Sequence, residues 1–304
     1  MIIKNNNYIY STEVKNNNVL RGSFNRLTKN TFAFDFEEWY QAGYWEDLYI
    51  PHVMLDGDKV VSNVSVNIMQ FDLCGVKKNY IQLGTVMTDD NYKGQGLNSI
   101  IMQNVLKEYQ NKVDGIYLFA NNSALDYYTK FGFKPSKEYE YFMPCNYTED
   151  LKPYKVNKLC AGQPGHIKQL YNIIKNFLDD TENINQNDGM YMSGNPGLYQ
   201  FWMMAGFENN IYYLPENKVY IVAKLEGNIL YIYQVFGKKK IEVKRFVKSF
   251  GENVTEAVFG YTPVNKEDFQ VREHKEDDCT LFIMGESLQS IEMDKMLFPV
   301  LSHA

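Results

Sequence analysis

Apolar and polar positions along the first half of the chain fall into short periodic segments. Residues 80–87 form an apolar run of β type that ends in a polar turn, Thr88-Asp89-Asp90-Asn91. After it, Leu97, Ile100, Ile101, Val105, Leu106 and Tyr109 mark one face of a helix over residues 97–109. Asp114 and Gly115 break that pattern, and residues 115–120 read as a continuously buried strand, as in the parallel part of a sheet. Asn121, Asn122 or Ser123 then caps a short helix that Gly132 ends. Upstream, residues 51–56 and 59–69 flank Gly57-Asp58 and predict a hairpin. In its second strand Val61, Val64, Val66 and Ile68 are apolar, with Asn63, Ser65 and Asn67 between them. Residues 74–78 read as a further turn, residues 18–30 and 32–43 as two helices (the second rich in aromatics), and residues 1–10 as a first strand.

The second half repeats this order. The pattern predicts a strand at 154–159, a helix at 164–177, a polar Asp/Asn-rich loop at 179–189 and a helix at 197–206. Strands at 210–214, 218–225 and 228–236, a helix at 241–250 and strands at 256–261 and 279–284 complete it. The polar stretch between Pro144 and Pro153 marks a boundary, so two domains are expected, 1–147 and 148–304. No internal sequence repeat is visible, so the parallel between the halves rests on element order.

Candidate chemistry begins between the strand at 80–87 and the helix at 97–109, where the chain reads Lys93-Gly94-Gln95-Gly96-Leu97-Asn98. Two glycines let backbone approach a ligand closely, and a helix start aims free N–H groups at it. Together they are the sequence form of a phosphate cradle. The second half offers Val235-Phe236-Gly237-Lys238-Lys239-Lys240-Ile241 in the corresponding place, with one glycine and no Gly-x-Gly, so a second nucleotide site is not expected there.

Bulk properties narrow the classes. A net charge of −6 and a pI near 5.4 argue against a non-specific nucleic-acid binder. Cys74, Cys145, Cys160 and Cys279 show no CxxC pair and no metal spacing, so no metal is expected. The N-terminus lacks a signal-peptide layout and no apolar run spans a bilayer, which predicts a cytoplasmic protein without a membrane partner.

Residues 53–142 resemble the GCN5-related N-acetyltransferases, the GNAT superfamily. The family's pyrophosphate motif, Arg/Gln-x-x-Gly-x-Gly/Ala, falls on Lys93 to Asn98. Its second signature falls on Asn121, Ala124, Tyr128, Gly132 and Phe133. Two positions depart from the family: Lys93 replaces Arg or Gln, and Asn98 replaces a small Gly or Ala, which puts close packing at that turn in question. The resemblance implies an α+β fold, a mixed, mostly antiparallel central sheet flanked by helices. With the repeated element order, it implies two tandem GNAT-like domains, a catalytic one over 1–147 and a degenerate one over 148–304.

The resemblance also implies acetyl-CoA as co-substrate, without a metal. Lys93, Gly94, Gln95, Gly96, Leu97 and Asn98 would hold its pyrophosphate. The strand edge at Val86, Met87 and Thr88 would pair with its pantetheine arm, and Asn121, Ala124 and Tyr128 would complete the cofactor side. Tyr128 stands where family members often carry an acid for the departing thiolate. The general base is open among Asp35, Glu37, Glu38, Glu46, Asp47, His52 and the chain's own end. The tail, Met296 to Ala304, is apolar almost throughout, which predicts that it tucks against the fold. By analogy with the enhanced-intracellular-survival type of GNAT protein, the carboxylate of Ala304, with His303, becomes a candidate base.

The function expected is acetyl transfer to a primary amine of a small, cationic acceptor. The alternatives are a peptide or protein acetyltransferase, a CoA-binding regulator without turnover, or aminoacyl transfer from tRNA, which the charge disfavours. Sheet edges leave a homodimer open.

Overall fold

A computed structural model describes the chain except residues 1, 4–5, 146–149, 160–164 and 180–188. The sequence boundary near 144–153 and the polar loop at 179–189 therefore lie partly outside the described residues. The first half runs β1 (Ile2–Ile3), β2 (Asn6–Asn7), β3 (Ile9–Ser11), α1 (Asn18–Phe32), α2 (Glu37–Gln41), β4 (Tyr49–Asp56), β5 (Lys59–Leu73), β6 (Val76–Thr88), α3 (Leu97–Tyr109), β7 (Gly115–Ala120), α4 (Leu125–Thr129), β8 (Lys134–Pro135) and β9 (Glu138–Pro144). The second half runs β10 (Asn157–Leu159), α5 (His166–Asp179), β11 (Met190–Met192), α6 (Pro196–Ala205), β12 (Ile211–Leu214), β13 (Val219–Glu226), β14 (Ile229–Phe236), α7 (Val243–Lys248), β15 (Glu256–Phe259), β16 (Gln270–His274), β17 (Thr280–Met284) and α8 (Ser290–Met293).

Local chemistry sets several of these bounds. Asn17 caps α1 by accepting from the N–H groups of Val19 and Leu20, and Ala33 ends it in the left-handed region at φ 65°. The aromatic segment that follows is consequently a loop with one short helix, α2, rather than the helix predicted over residues 32–43. Lys77 and Lys78 continue β6, opposite Asp72 and Phe71, where the sequence suggests a turn.

Among the described residues the strands form two large mixed α+β layers. The first sheet has the order β3-β4-β5-β6-β7-β17-β8, with β11 on the far end of the long β5; the second is β10-β12-β13-β14-β15-β9-β16. Each sheet contains one parallel pair, β6 with β7 and β14 with β15, and is otherwise antiparallel. The sheets are not built from contiguous halves. β17, from late in the chain, lies between β7 and β8, and β9, from the first half, lies between β15 and β16. β16, a strand absent from the sequence reading, is a polar edge whose Arg272 reaches Glu140 and Glu256 on the neighbouring strands.

The sheets share a core. Phe71, Tyr80, Tyr117 and Leu281 of the first pack with Val222 and Phe236 of the second, and with Phe298 and Leu301 of the tail. Phe298 stacks on Tyr117 at 4.1 Å and 8°. Full burial of such a side chain stabilises by about 1.5–3 kcal/mol, so the tail is an integral layer of the fold. Among the described residues no helix is long and apolar enough to cross a membrane.

Candidate active site

The loop at Lys93–Asn98 begins the site. Gly94 and Gly96 have φ of 73° and 77°, and Gly96 occupies the cap position of α3 without a side chain to cap it. The N–H groups of residues 94–98 find no acceptor among the described residues. Free N–H groups at the start of a 13-residue helix carry the positive end of its dipole, so this turn suits a pyrophosphate. Lys93 lies at the mouth of the loop, paired with Asp90 at 2.6 Å, both exposed. Tyr8 donates to Gln95 Oε1 at 2.9 Å and steadies the loop from below.

Asn98 has a positive role that its size alone did not suggest. Its Nδ2 donates to Asn63 O at 3.0 Å and to Ser62 Oγ at 3.3 Å, while its Oδ1 accepts from Tyr127 OH at 2.6 Å. The first turn of α3 is thus pinned to β5 and α4. Of the adjacent tyrosines, Tyr127 holds this pin, and Tyr128 turns into the core against Phe133 and Phe282. The Tyr128 hydroxyl makes no hydrogen bond among the described residues, and burial raises its pKa, which keeps the phenol protonated. Asn121 stands at the cap position of a 3-10 turn, Asn122–Ala124, without a capping bond from its side chain, whose Oδ1 accepts from Ser123 Oγ at 2.9 Å, and Ala124 packs against the cluster that holds α3 to the sheet.

Beside the loop, β6 parts from β7. Their parallel ladder runs from Tyr80–Gly115 to Leu83–Leu118 and stops, so Val86, Met87 and Thr88 have no strand on that side. The β5–β6 register shifts at the same level, and Thr85 takes φ 44°. A β-branched residue in the left-handed region carries strain of order 1–3 kcal/mol. A closed triangle of hydroxyls holds it. Thr85 Oγ1 is 2.7 Å from Tyr49 OH and donates to Ser65 Oγ at 2.9 Å, and Ser65 Oγ donates to Tyr49 OH at 2.9 Å. Asn63 Nδ2 adds donations to Ser65 Oγ and to Thr85 O at 2.8 Å. Asn63, Ser65 and Asn67, the polar residues that alternate with valines in β5, are all buried.

The end of the tail enters this gap. Gln82 Nε2 donates to Ala304 O at 3.2 Å. A Cβ at Gly84 would stand 2.5 Å from Ala304 O and 2.9 Å from its carbonyl carbon, so only glycine admits the approach. Asn67 Nδ2, buried and unpartnered, is 3.5 Å from that same point. His303 stacks on Phe119 at 3.9 Å, and its backbone O accepts from Trp202 Nε1 at 2.9 Å. Burial pushes the His303 imidazole down to about 3, so it is neutral.

All but one of the other candidate bases are engaged elsewhere. His52 is buried against Tyr10 and Tyr109, with Nδ1 2.5 Å from Tyr10 OH, and burial lowers its pKa to about 4. Glu37 binds Arg21, Gln41 and Asn25; Asp47 pairs with Lys15, Asp35 with Lys29, and Glu46 accepts from Tyr171. Glu38 is exposed. Around the gap stand aromatic rings instead. Phe34, Phe36 and Trp39 all reach Phe201, the neighbour of Trp202. Tyr49, Gln82 and Trp202 were not singled out from sequence; Gly84 and Thr85 lay in the apolar run read at 80–87 and Ser65 and Asn67 in the polar alternation of β5, none of them with a role. Among the described residues no group of three or more His, Cys, Asp or Glu could hold a metal ion.

Comparison with known proteins agrees with this fold. Residues 15–136 match the sequence profile of the acetyltransferase (GNAT) domain family. A probable N-acyltransferase from Enterococcus faecalis V583 superimposes with TM-score 0.56 at 15% identity, over 92% of this chain and 71% of that one. A GCN5-related N-acetyltransferase from Anabaena variabilis gives TM-score 0.57 at 11% identity, over 91% and 72%. Eis1 from Mycobacterium abscessus gives 0.54 at 10%, over 90% and 73%. No curated protein matches the sequence.

Proposed function

We propose that this chain, an acyltransferase whose residues 15–136 form a GNAT acetyltransferase domain, moves an acetyl group from acetyl-CoA directly to a primary amine of a small, cationic acceptor. The contact of Ala304 with Gly84, at the parting of β6 and β7 and beside a turn of free N–H groups, carries the reading. Acetyl-CoA supplies the acetyl group as an activated thioester. The N–H groups of residues 94–98 take its pyrophosphate, and the open edge at Val86–Thr88 pairs with pantetheine as an added strand would. N–H groups on that edge donate to the thioester oxygen as charge builds there. Tyr128, protonated throughout the neutral range, gives its proton to the departing thiolate.

The acceptor arrives as an ammonium ion and must lose a proton before it attacks. With Ala304 carrying the free carboxylate, that group takes the proton, oriented by Gln82. The aromatic wall of Phe34, Trp39 and Phe201 suits a cation on its way in. The second sheet, with β9 in the place that β17 takes in the first, repeats the first sheet's strand order without a glycine loop, and we read the second half as a degenerate tandem domain.

Calorimetric titration with acetyl-CoA, with desulfo-CoA and a Gly94→Glu variant as controls, tests the first requirement. One site per chain, lost in the variant, is expected. Thiol release with a panel of amines then reads turnover, and intact mass establishes that Ala304 is the terminal residue. A folded chain that does not bind acetyl-CoA would overturn the reading.

A further inference from the structure

The peptide between Thr85 and Val86 lies in the bulge of β6, just past the point where its ladder with β7 stops. β5 and β6 pair Ser65 with Gly84 and Asn63 with Met87, so Val64 alone on β5 faces both Thr85 and Val86 on β6. Side chains of the two neighbouring strands hold the extra residue. Asn63 Nδ2 donates to Thr85 O at 2.8 Å and fixes the carbonyl end of the peptide. The ring of hydroxyls fixes the Thr85 side chain. Thr85 donates to Ser65 and Ser65 donates to Tyr49, so the proton that closes the ring is that of Tyr49, given to Thr85.

Holding one end of a peptide aims the other. The described residues contain no cis peptide bond, so the N–H of Val86 points opposite to Thr85 O. Asn63 is on β5, and β5 and β7 flank β6 on opposite sides. An N–H aimed away from Asn63 is therefore aimed towards the side on which β7 has ended. Asn63 also reaches the glycine loop, because its backbone O accepts from Asn98 Nδ2 at 3.0 Å. Stability alone accounts poorly for this residue. It is fully buried, and its Oδ1 has no partner among the described residues, a state that an apolar side chain would avoid.

We propose that Asn63 is a positioning residue for the transfer reaction: it aims the N–H of Val86 at the acyl oxygen and ties that donor to the turn that takes the pyrophosphate. The inference rests on the reaction proposed above and narrows the donors of the open edge to one. As the amine nitrogen bonds to the acyl carbon, negative charge gathers on the acyl oxygen, and it leaves with the sulfur when the C–S bond breaks. A donor already aimed at that oxygen needs no reorganisation as the charge forms.

The test is the Val86 amide resonance of the full chain, labelled on valine nitrogen and assigned by its loss in Val86→Ala. Acetyl-CoA should move the Val86 proton downfield, and desulfo-CoA, which offers no acyl oxygen, should not. In Asn63→Leu the downfield move should be lost and kcat should fall about 10²-fold, while calorimetry finds acetyl-CoA bound within about threefold of the wild-type affinity. Tyr49→Phe opens the hydroxyl ring and keeps the packing. It should reduce the downfield move and lower kcat about tenfold, and it carries the test if Asn63→Leu does not fold. A Val86 proton that answers both ligands alike, or that answers acetyl-CoA in a folded variant as in the wild type, would overturn the role of Asn63. A wild type that binds no acetyl-CoA would overturn the transfer reading and this role with it, so calorimetry tells the two failures apart.

Discussion

Between β6 and β7, and again between β14 and β15, four residue pairs of parallel ladder are followed by a parting of the strands. The two gaps are filled differently. In the first, β6 carries a strained bulge at Thr85, a glycine at 84 and a turn of free N–H groups beyond, and the last residue of the sequence enters. In the second, the shift of register falls at Val222–Ala223 opposite Tyr233, whose ring lies 3.0 Å from where a Cβ at Gly260 would stand. Gly260 N donates to Ile232 O and Gly260 O accepts from Val300 N, both at 2.9 Å, so backbone closes the opening. The helix that follows, α7, has six residues and no glycine pair before it. A parting of strands is thus common to both sheets, and what makes one a candidate reaction site is the bulge, the glycine and the loop.

The largest effect expected from disturbing this contrast comes from emptying the first gap. Deleting Ser302 to Ala304 should lower kcat by about 10³-fold with acetyl-CoA affinity nearly unchanged, the signature of a lost proton acceptor. Single-turnover kinetics at wild-type level would exclude Ala304 from the chemistry. Tyr128→Phe should cost about 10²-fold in the chemical step, again without loss of acetyl-CoA binding by calorimetry. Gly84→Ala drives a methyl group into Ala304. It should cost about 1–3 kcal/mol in urea unfolding and about tenfold in kcat, whereas a silent substitution would mean the tail is not seated there.

Opening the second gap should do less. Val300→Ala is expected to cost about 1 kcal/mol of stability, to leave turnover intact and to leave one acetyl-CoA site per chain; a second site would erase the distinction drawn above. The smallest effect concerns acid. The folded-state pKa of His303 lies far below its ordinary value of 6.5, so the stability held by its neutral ring is complete above pH 6.5 and is lost as pH falls toward about 3. Between pH 7 and about 5.5, the stability difference between His303→Phe and the wild type should move in the variant's favour by about 1 kcal/mol in urea titrations. A constant difference would mean that the ring is solvated.

Much of the first gap was legible in sequence because its determinants are local. The spacing of Gly94 and Gly96 before an amphipathic face specifies turn and helix together, and the apolar run from Met296 to Leu301 announced a buried tail. Other determinants are not local. Asn63, Ser65 and Asn67 are buried, which their alternation with valines does not reveal, because a period of 2 reports that two environments exist, not which one is water. Asn98 looked like a defect in a small-residue motif because its partners lie on β5, β6 and α4. The exchange of β9 and β17 leaves no trace in periodicity, since either strand would read the same in its own sheet.

That exchange imposes an order of events on synthesis. As the chain leaves a ribosome, β7 emerges long before β17, the strand that will lie beside it. At ordinary elongation rates the delay is on the order of ten seconds. Throughout it the nascent sheet offers an unsatisfied edge, and β9 waits for β15 in the same way. A stop codon near the middle of the message would release two such edges at once. The fragment it leaves should be a client for chaperones rather than a small enzyme.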